Sequence, residues 1–254
     1  MFEKVVIFGK GKVGMATDLT LKTNADFHDP LKGFVIEDFT PYDCAIICVS
    51  SLLKGPHDHD DIIKCLQTLE EVDFAGTVVI RCTVSPVFLR TAEVQFPRLN
   101  IIHFPEFMKQ EDDHYMDTPW ILVLGGDMRY TRPFGAWLVS QGYGNSNMWH
   151  FCTVEESALI KLNQNAGLAL KVVYANIIYE MCQQYGADYD VVRKGVTADW
   201  RVGPGHMQVP GDNGFGFAGH CLPKDVRCLD SVGYNRGLWK KIIEINEQLK
   251  AKNV

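Results

Sequence analysis

The sequence predicts an α/β domain built on a doubly wound parallel sheet, followed by an all-helical domain with a long central helix. Two observations carry this. Short apolar runs alternate with helix-like stretches through the first half, and the runs are continuous, not alternating, as in strands covered on both faces. From about residue 150 the strand signals stop and a long proline-free stretch begins. The expected division is 1–149 and 150–254.

The strands are expected at 4–8 (KVVIF), 44–49 (CAIICV), 77–82 (TVVIRC), 101–104 (IIHF) and 120–124 (WILVL), with a weaker one at 25–28. Each is short, rich in β-branched residues and bounded by Gly, Pro, Asp or Ser. Helix-like segments lie at 13–23, 60–72 and 131–141. The long helix spans 153–185, opened by a capping box of Thr153 and Glu156 and stopped at Gly186. A shorter helix at 188–196, a Gly/Pro loop at 203–219 and an amphipathic helix at 238–250 complete the second half.

The 254 residues allow one large domain or two modest ones. Hydrophobic residues make up 46% and charged residues 22%, as in a soluble globular protein. A net charge of -6 favours neither nucleic acid nor an anionic membrane as partner. No run is long enough to span a membrane, and the apolar start at 1–8 is too short for a signal peptide. The eight cysteines show no CxxC pairing, which points to reduced thiols and a cytoplasmic location.

Residues 9–14 (GKGKVG) form a GxGxxG loop between a strand and a helix. Gly9 allows the tight turn, Gly11 lets a pyrophosphate approach the backbone, and Gly14 lets helix and strand pack closely. The helix opening at Lys12 and Val13 then offers free N–H groups to phosphates. Asp29, twenty positions after Gly9, is placed to accept both ribose hydroxyls, which favours NAD over NADP. The first domain is thus expected to be Rossmann-like. Ser50, Ser51, Thr83 and Glu106 each fall just past the carboxyl end of a strand, where open α/β sheets bind ligands.

Cys221 lies in GFGFAGHCLPKD at 214–225. A cysteine beside Lys224 and Asp225, in a glycine-rich loop neither helical nor strand-like, is a candidate nucleophile with an accessible thiol. The other seven cysteines read as core thiols. Lys161 and Asn165 are i, i+4 partners on one face of the long helix. The run from His57 to Asp60 reads as a solvated loop ending in a helix cap at Asp60, and no metal site is expected.

Together these motifs resemble the UDP-glucose/GDP-mannose dehydrogenase family. GKGKVG is similar to its first motif, and RCTVSP at 81–86 to R-S-T-V-x-P. FPEF at 104–107 is similar to N-P-E-F, with Phe104 for Asn. ALIKLNQNAGLA at 158–169 resembles the helix carrying its lysine and asparagine, and DWRVG at 199–203 its D-x-R-I-G. GFAGHCLPKDVRCL at 216–229 is close to G-F-G-G-x-C-L-P-K-D-V-R-x-L, with Ala218 for a glycine.

The resemblance implies a two-step, four-electron oxidation of a nucleotide sugar's C6 alcohol to the uronic acid. Two NAD take up the electrons, and Cys221 forms a thiohemiacetal and then a thioester. It assigns oxyanion stabilisation and deprotonation to Lys161, oriented by Asn165. Glu106, Thr83 and Asp225 position or activate water, and Lys224 adds positive charge. Ser50, Ser51 and Thr83 line the cofactor side. Phe107 and Gly219 join Glu106, Lys161 and Asn165 on the substrate. Arg201 reaches the sugar nucleotide from a neighbouring subunit, implying a homodimer formed through the long central helix.

Three departures stand out. Family members usually continue into a second Rossmann-like domain, the position four past Glu106 is Gln110, and the stretch from Asp29 to Cys44 is compressed. Two other readings therefore stand beside the first. One is a hydroxyacid or 6-phosphogluconate-type dehydrogenase, which needs no nucleophilic cysteine. The other is a truncated, non-catalytic relative that binds NAD or a nucleotide.

Overall fold

The computed structural model describes residues 2–107, 121–233 and 236–253. Gln110 and Trp120 lie outside them. In chain order the elements begin β1 (Val5–Phe8), α1 (Lys12–Leu21), β2 (Asp26–His28), β3 (Cys44–Ile47), α2 (Asp60–Glu71), β4 (Thr77–Ile80), α3 (Pro86–Gln95) and β5 (Asn100–His103). They continue with β6 (Leu122–Gly125), α4 (Met128–Ser140), β7 (Trp149–Cys152), α5 (Val154–Tyr185), α6 (Tyr189–Thr197), α7 (Cys221–Ser231) and α8 (Leu238–Lys250).

Among the described residues, seven strands form one sheet in the order β2-β1-β3-β4-β5-β6-β7. All neighbours are parallel except β5 and β6, which meet antiparallel through His103 and Gly125. An apolar run specifies a strand but not its direction, so this reversal was not anticipated. Successive strand residues serve opposite faces. Val6, Phe8, Ala45, Ile47, Val78 and Ile80 pack with Ile62, Leu66 and Leu69 of α2, Leu89 and Ala92 of α3, and Val154 and Ala158 at the start of α5. Val5, Ile7, Cys44, Ile46 and Val79 pack with Leu21 of α1 and Phe134, Trp137 and Leu138 of α4. Both faces are buried, which is why the strands read as continuous apolar runs.

Three elements were not expected from sequence. α3 opens with Ser85 as cap, its hydroxyl accepting from the Phe88 N–H at 3.2 Å, and with Pro86 in the first turn, where its missing N–H costs nothing. β7 extends the sheet beside β6. The third, α7, bears on the cysteine and is taken up below. At α2, Asp60 is the first helical residue and His59 the cap, so the expected cap is off by one. Nor is this loop wholly solvated. His59 is buried, stacked 4.1 Å from Phe88, and its Nε2 accepts from the Ser85 N–H.

The chain forms two compact units, Met1–Lys161 and Leu162–Val254, divided within α5. The second unit has its own core of Ala175, Cys182, Tyr189, Met207 and Val209. Among the described residues no helix is long and apolar enough to cross a membrane.

Candidate active site

In the first unit the sheet order reverses at β1, which pairs with β2 on one side and β3 on the other. The glycine loop follows β1 at this switch point, where open α/β sheets form a crevice. Gly9 has φ +94°, and a Cβ there would fall 2.9 Å from the Cys48 carbonyl oxygen. A Cβ on Gly14 would lie 2.0 Å from the Gly9 carbonyl oxygen, so only glycine lets α1 close on the turn. Gly11 caps α1, and no heavy atom comes within 4 Å of a Cβ placed on it. Lys12 and Val13 form the first turn behind it. This open side of the loop, with N–H groups at a helix start, fits a pyrophosphate.

Asp29 follows β2, and its carboxylate accepts from the Lys10 N–H at 2.9 Å. Lys32 sits 3.6 Å from the same carboxylate and donates to the Lys10 carbonyl. The acid is thus wired to the glycine loop, through two lysines that sequence reading passed over. Along the same edge, the buried Ser51 hydroxyl donates to the Thr83 carbonyl at 2.7 Å, tying the ends of β3 and β4 together. Ser50 is exposed. Past β5, Glu106 pairs with Lys161 of α5 at 3.4 Å, with side chains only 12% and 3% exposed. The Lys161 ammonium also lies over the Phe107 ring.

In the second unit, Asn165 donates its amide to the Asp225 carboxylate, and Lys224 donates to the other oxygen at 2.6 Å. Asp225 is fully buried. The expectation that Cys221 has no helical neighbours is corrected, because Cys221 is the first residue of α7. Pro223 obscured this helix, yet a proline in a first turn is harmless, and Val226, Cys228 and Leu229 give the helix its buried face. The loop ahead of α7 is held by two buried asparagines. Asn246 bonds both the N–H and the carbonyl of Phe217, and Asn176 accepts from the Gly216 N–H. Gly219 is exposed with φ +78°.

Cys221 is half-buried. Cys44, Cys48, Cys65, Cys82, Cys182 and Cys228 are buried and Cys152 half-buried. Burial pushes the thiols of Cys48 and Cys152 up to about 11 and those of Cys65 and Cys228 up to about 12. Arg201 is exposed and forks onto Asp199. Lys171 of α5 fastens this loop by donating to the Val202 and Gly203 carbonyls.

Residues 155–248 match the UDP-glucose/GDP-mannose dehydrogenase family, central domain. The UDP-glucose 6-dehydrogenase of Campylobacter jejuni is 23% identical over 96% of this chain and 72% of its own length. Other curated relatives are spanned over only 52% and 56% of theirs. In fold, a UDP-glucose dehydrogenase from Pyrobaculum islandicum is similar with a TM-score of 0.77 and 19% identity, over 98% of this chain and 68% of that one. A 3-hydroxyisobutyrate dehydrogenase from Mycobacterium tuberculosis is similar with a TM-score of 0.74 and 14% identity, over 99% and 94%. The fold is therefore common to both enzyme classes.

Proposed function

We propose that this chain, whose residues 155–248 match the central domain of the UDP-glucose/GDP-mannose dehydrogenase family, works as a member of that family and oxidises the C6 alcohol of a nucleotide sugar to the uronic acid with NAD. The observation that carries this reading is the Cys-Leu-Pro-Lys-Asp helix, opening on Cys221 and anchored to α5 by the Asn165–Asp225 bond. A hydroxyacid dehydrogenase has no use for such a cysteine.

NAD, when bound, accepts the electron pairs of the two oxidations. Gly9, Gly11, Lys12, Val13 and Gly14 hold its pyrophosphate in this reading, Asp29 its ribose, and the strand ends at Ser50, Ser51 and Thr83 its far half. The Cys221 thiolate adds to the aldehyde carbon, forming the C–S bond of a thiohemiacetal, which is oxidised to a thioester. Its place at a helix start suits a developing negative charge. The Lys161 ammonium assists deprotonation by stabilising the alkoxide as the alcohol proton passes to water, and then holds the oxyanion, while Asn165 fixes the helix face that carries it. Water directed by Glu106, Thr83 and Asp225 cleaves the C–S bond, releasing the carboxylate and returning the thiol. Lys224 adds positive charge beside Cys221, while Phe107 and Gly219 shape the sugar side.

We place this chemistry in the cytoplasm, in a homodimer formed through α5. Leu170, Tyr174, Ile177, Met181 and Tyr185 recur at three- and four-residue spacing on α5 and are all at least 37% exposed, an apolar stripe suited to a second copy. Arg201, exposed on its fastened loop, then serves the neighbour's substrate.

The test is NADH yield with a panel of UDP- and GDP-sugars. Two NADH per sugar, abolished by Cys221→Ser, is the expected result. One NADH per substrate with a hydroxyacid, unaffected by Cys221→Ser, would replace this reading with the hydroxyacid class. Nucleotide binding without turnover would replace it with a binding protein.

A further inference from the structure

The Glu106–Lys161 ion pair does not stand alone between β5 and α5. Three residues before Glu106 and one helical turn before Lys161, His103 Nδ1 lies 2.6 Å from the Ser157 hydroxyl. Both residues are completely buried. His103 Nε2 lies 3.2 Å from the Cys82 carbonyl. A carbonyl only accepts, so Nε2 carries the ring proton, and the one Ser157 hydroxyl proton is shared between Nδ1 and the Val154 carbonyl. The ring is neutral at ordinary pH, because burial pushes it down to about 4 and the nearby Lys161 charge pushes the same way. Ser157 cannot shift easily. Its hydroxyl also lies 2.7 Å from the Val154 carbonyl, and it packs on Gly125, where a Cβ would come within 2.3 Å of it.

Two rungs thus join the same two elements, one neutral and one ionic. The ionic rung is held at 3.4 Å, longer than the ~2.7–2.9 Å of a relaxed charge-assisted hydrogen bond. A closed pair spends the Lys161 ammonium on Glu106 and leaves neither group for substrate. The neutral rung sets the separation of the two backbones without regard to charge.

We propose that His103 and Ser157 are positioning residues that hold Lys161 and Glu106 at working distance. This rests on the roles assigned above to Lys161 and Glu106. His103 belongs to none of the motifs that carry the family resemblance, and it sits in a strand that reads as core.

The experiment compares Ser157→Ala, His103→Asn and His103→Leu with the wild-type chain, each first checked for a cooperative thermal transition. Lys161 reactivity is read by pulse acetylation with acetic anhydride and mass spectrometry, and kcat and KM are read with the sugar nucleotide and NAD. In Ser157→Ala the acetylation rate of Lys161 should change about fivefold to tenfold, the scale of one buried hydrogen bond. kcat should fall while KM for NAD stays constant. His103→Asn, whose Oδ1 can stand in for Nδ1, should stay nearer wild type than His103→Leu. Wild-type Lys161 reactivity in a folded Ser157→Ala chain, or equal behaviour of the Asn and Leu variants, overturns the proposal. If the wild-type chain oxidises no sugar nucleotide, the functional reading falls, and the acetylation rates still decide whether the rung positions Lys161. If Ser157→Ala does not fold, the two His103 variants decide it.

Discussion

Asn165 and Asp225 lie 60 residues apart and share a 2.5 Å hydrogen bond between buried side chains. Asn165 lies on α5 and Asp225 one turn beyond Cys221 on α7, so within the second unit this bond ties the cysteine helix to the long one. Asp225 has a second partner in the Lys224 ammonium.

Replacing Asp225 with Asn keeps the shape and removes the charge. Lys224 then loses its counter-charge, and the carboxylate oxygens that took two donors become one amide oxygen. We expect Asp225→Asn to lose roughly 3 kcal/mol, the scale for breaking a buried charged pair. Lys224→Ala should cost at least as much, since it leaves the carboxylate of Asp225, 0% exposed against 18% for Lys224, buried without a counter-charge. Urea denaturation of the full chain measures both, and a clearly smaller loss in Lys224→Ala would contradict the burial argument.

Gly11 and Gly14 should part company. Gly14→Ala drives a Cβ to 2.0 Å from the Gly9 carbonyl oxygen, and the overpacked turn should cost about 1–3 kcal/mol. Gly11→Val meets open space in the protein and should cost only about 0.5–1 kcal/mol, for a poorer cap on α1. Its isopropyl group instead fills the side offered to the pyrophosphate, so calorimetry should show no NAD binding. Wild-type NAD affinity in Gly11→Val would remove the cofactor from this loop.

The glycine loop was legible because its residues, spacing and flanking elements all say one thing. So was the Thr153–Glu156 capping box, in which the Thr153 N–H donates to Glu156 and the Glu156 N–H to Thr153. α3 could have been read from Ser85-Pro86, a cap followed by a first-turn proline. α7 was hidden by glycines before it and Pro223 within it, which mimic a loop. The partners of Asp29, Ser51 and His103 could not be read at all. Apart from Lys32, three residues past Asp29, they come from the glycine loop, a neighbouring strand end and the long helix, and no local pattern encodes that register.

Acid should weaken the fold through its buried histidines. Burial lowers both His59 and His103, the latter to about 4. The unfolded chain takes up these protons near the ordinary 6.5 and the folded chain resists, so stability falls as pH drops from 6.5 toward 4. His103 alone should account for about 2 kcal/mol between pH 7 and pH 5. Urea midpoints at the two pH values measure it, and His103→Leu should show a correspondingly smaller difference. An unchanged difference would place the effect on other groups.

Iodoacetamide should alkylate Cys221 first. Burial keeps the thiols of Cys44, Cys48, Cys65 and Cys228 protonated and shielded. Cys152 is half-buried, but its thiol is pushed up to about 11, which leaves little thiolate at neutral pH. Peptide mapping over a short time course gives the order, and bound NAD or sugar nucleotide should alter the rate at Cys221. A first label on Cys44 or Cys48 would count heavily against the cysteine mechanism.

The last prediction separates a dimeric site from a monomeric one. α5 runs 32 residues, about 48 Å at 1.5 Å per residue. Its exposed stripe from Leu170 to Tyr185 offers a second copy a long apolar seam. Arg201 bonds only Asp199, within its own loop, among the contacts described. Arg201→Ala should therefore leave the chain's own stability within about 0.5 kcal/mol, so any loss of activity must come from what the guanidinium reaches. If it reaches the neighbour's substrate, Arg201→Ala and Cys221→Ser chains are each inactive, but a hybrid dimer holds one site with both groups intact. Mixing the two under conditions of subunit exchange should restore up to about one quarter of wild-type activity, because random pairing makes half the dimers hybrid and each hybrid has one good site of two. Sedimentation at assay concentration must show the dimer. A monomer, or no recovery between chains shown to exchange, assigns Arg201 to its own subunit and removes the α5 seam from the mechanism.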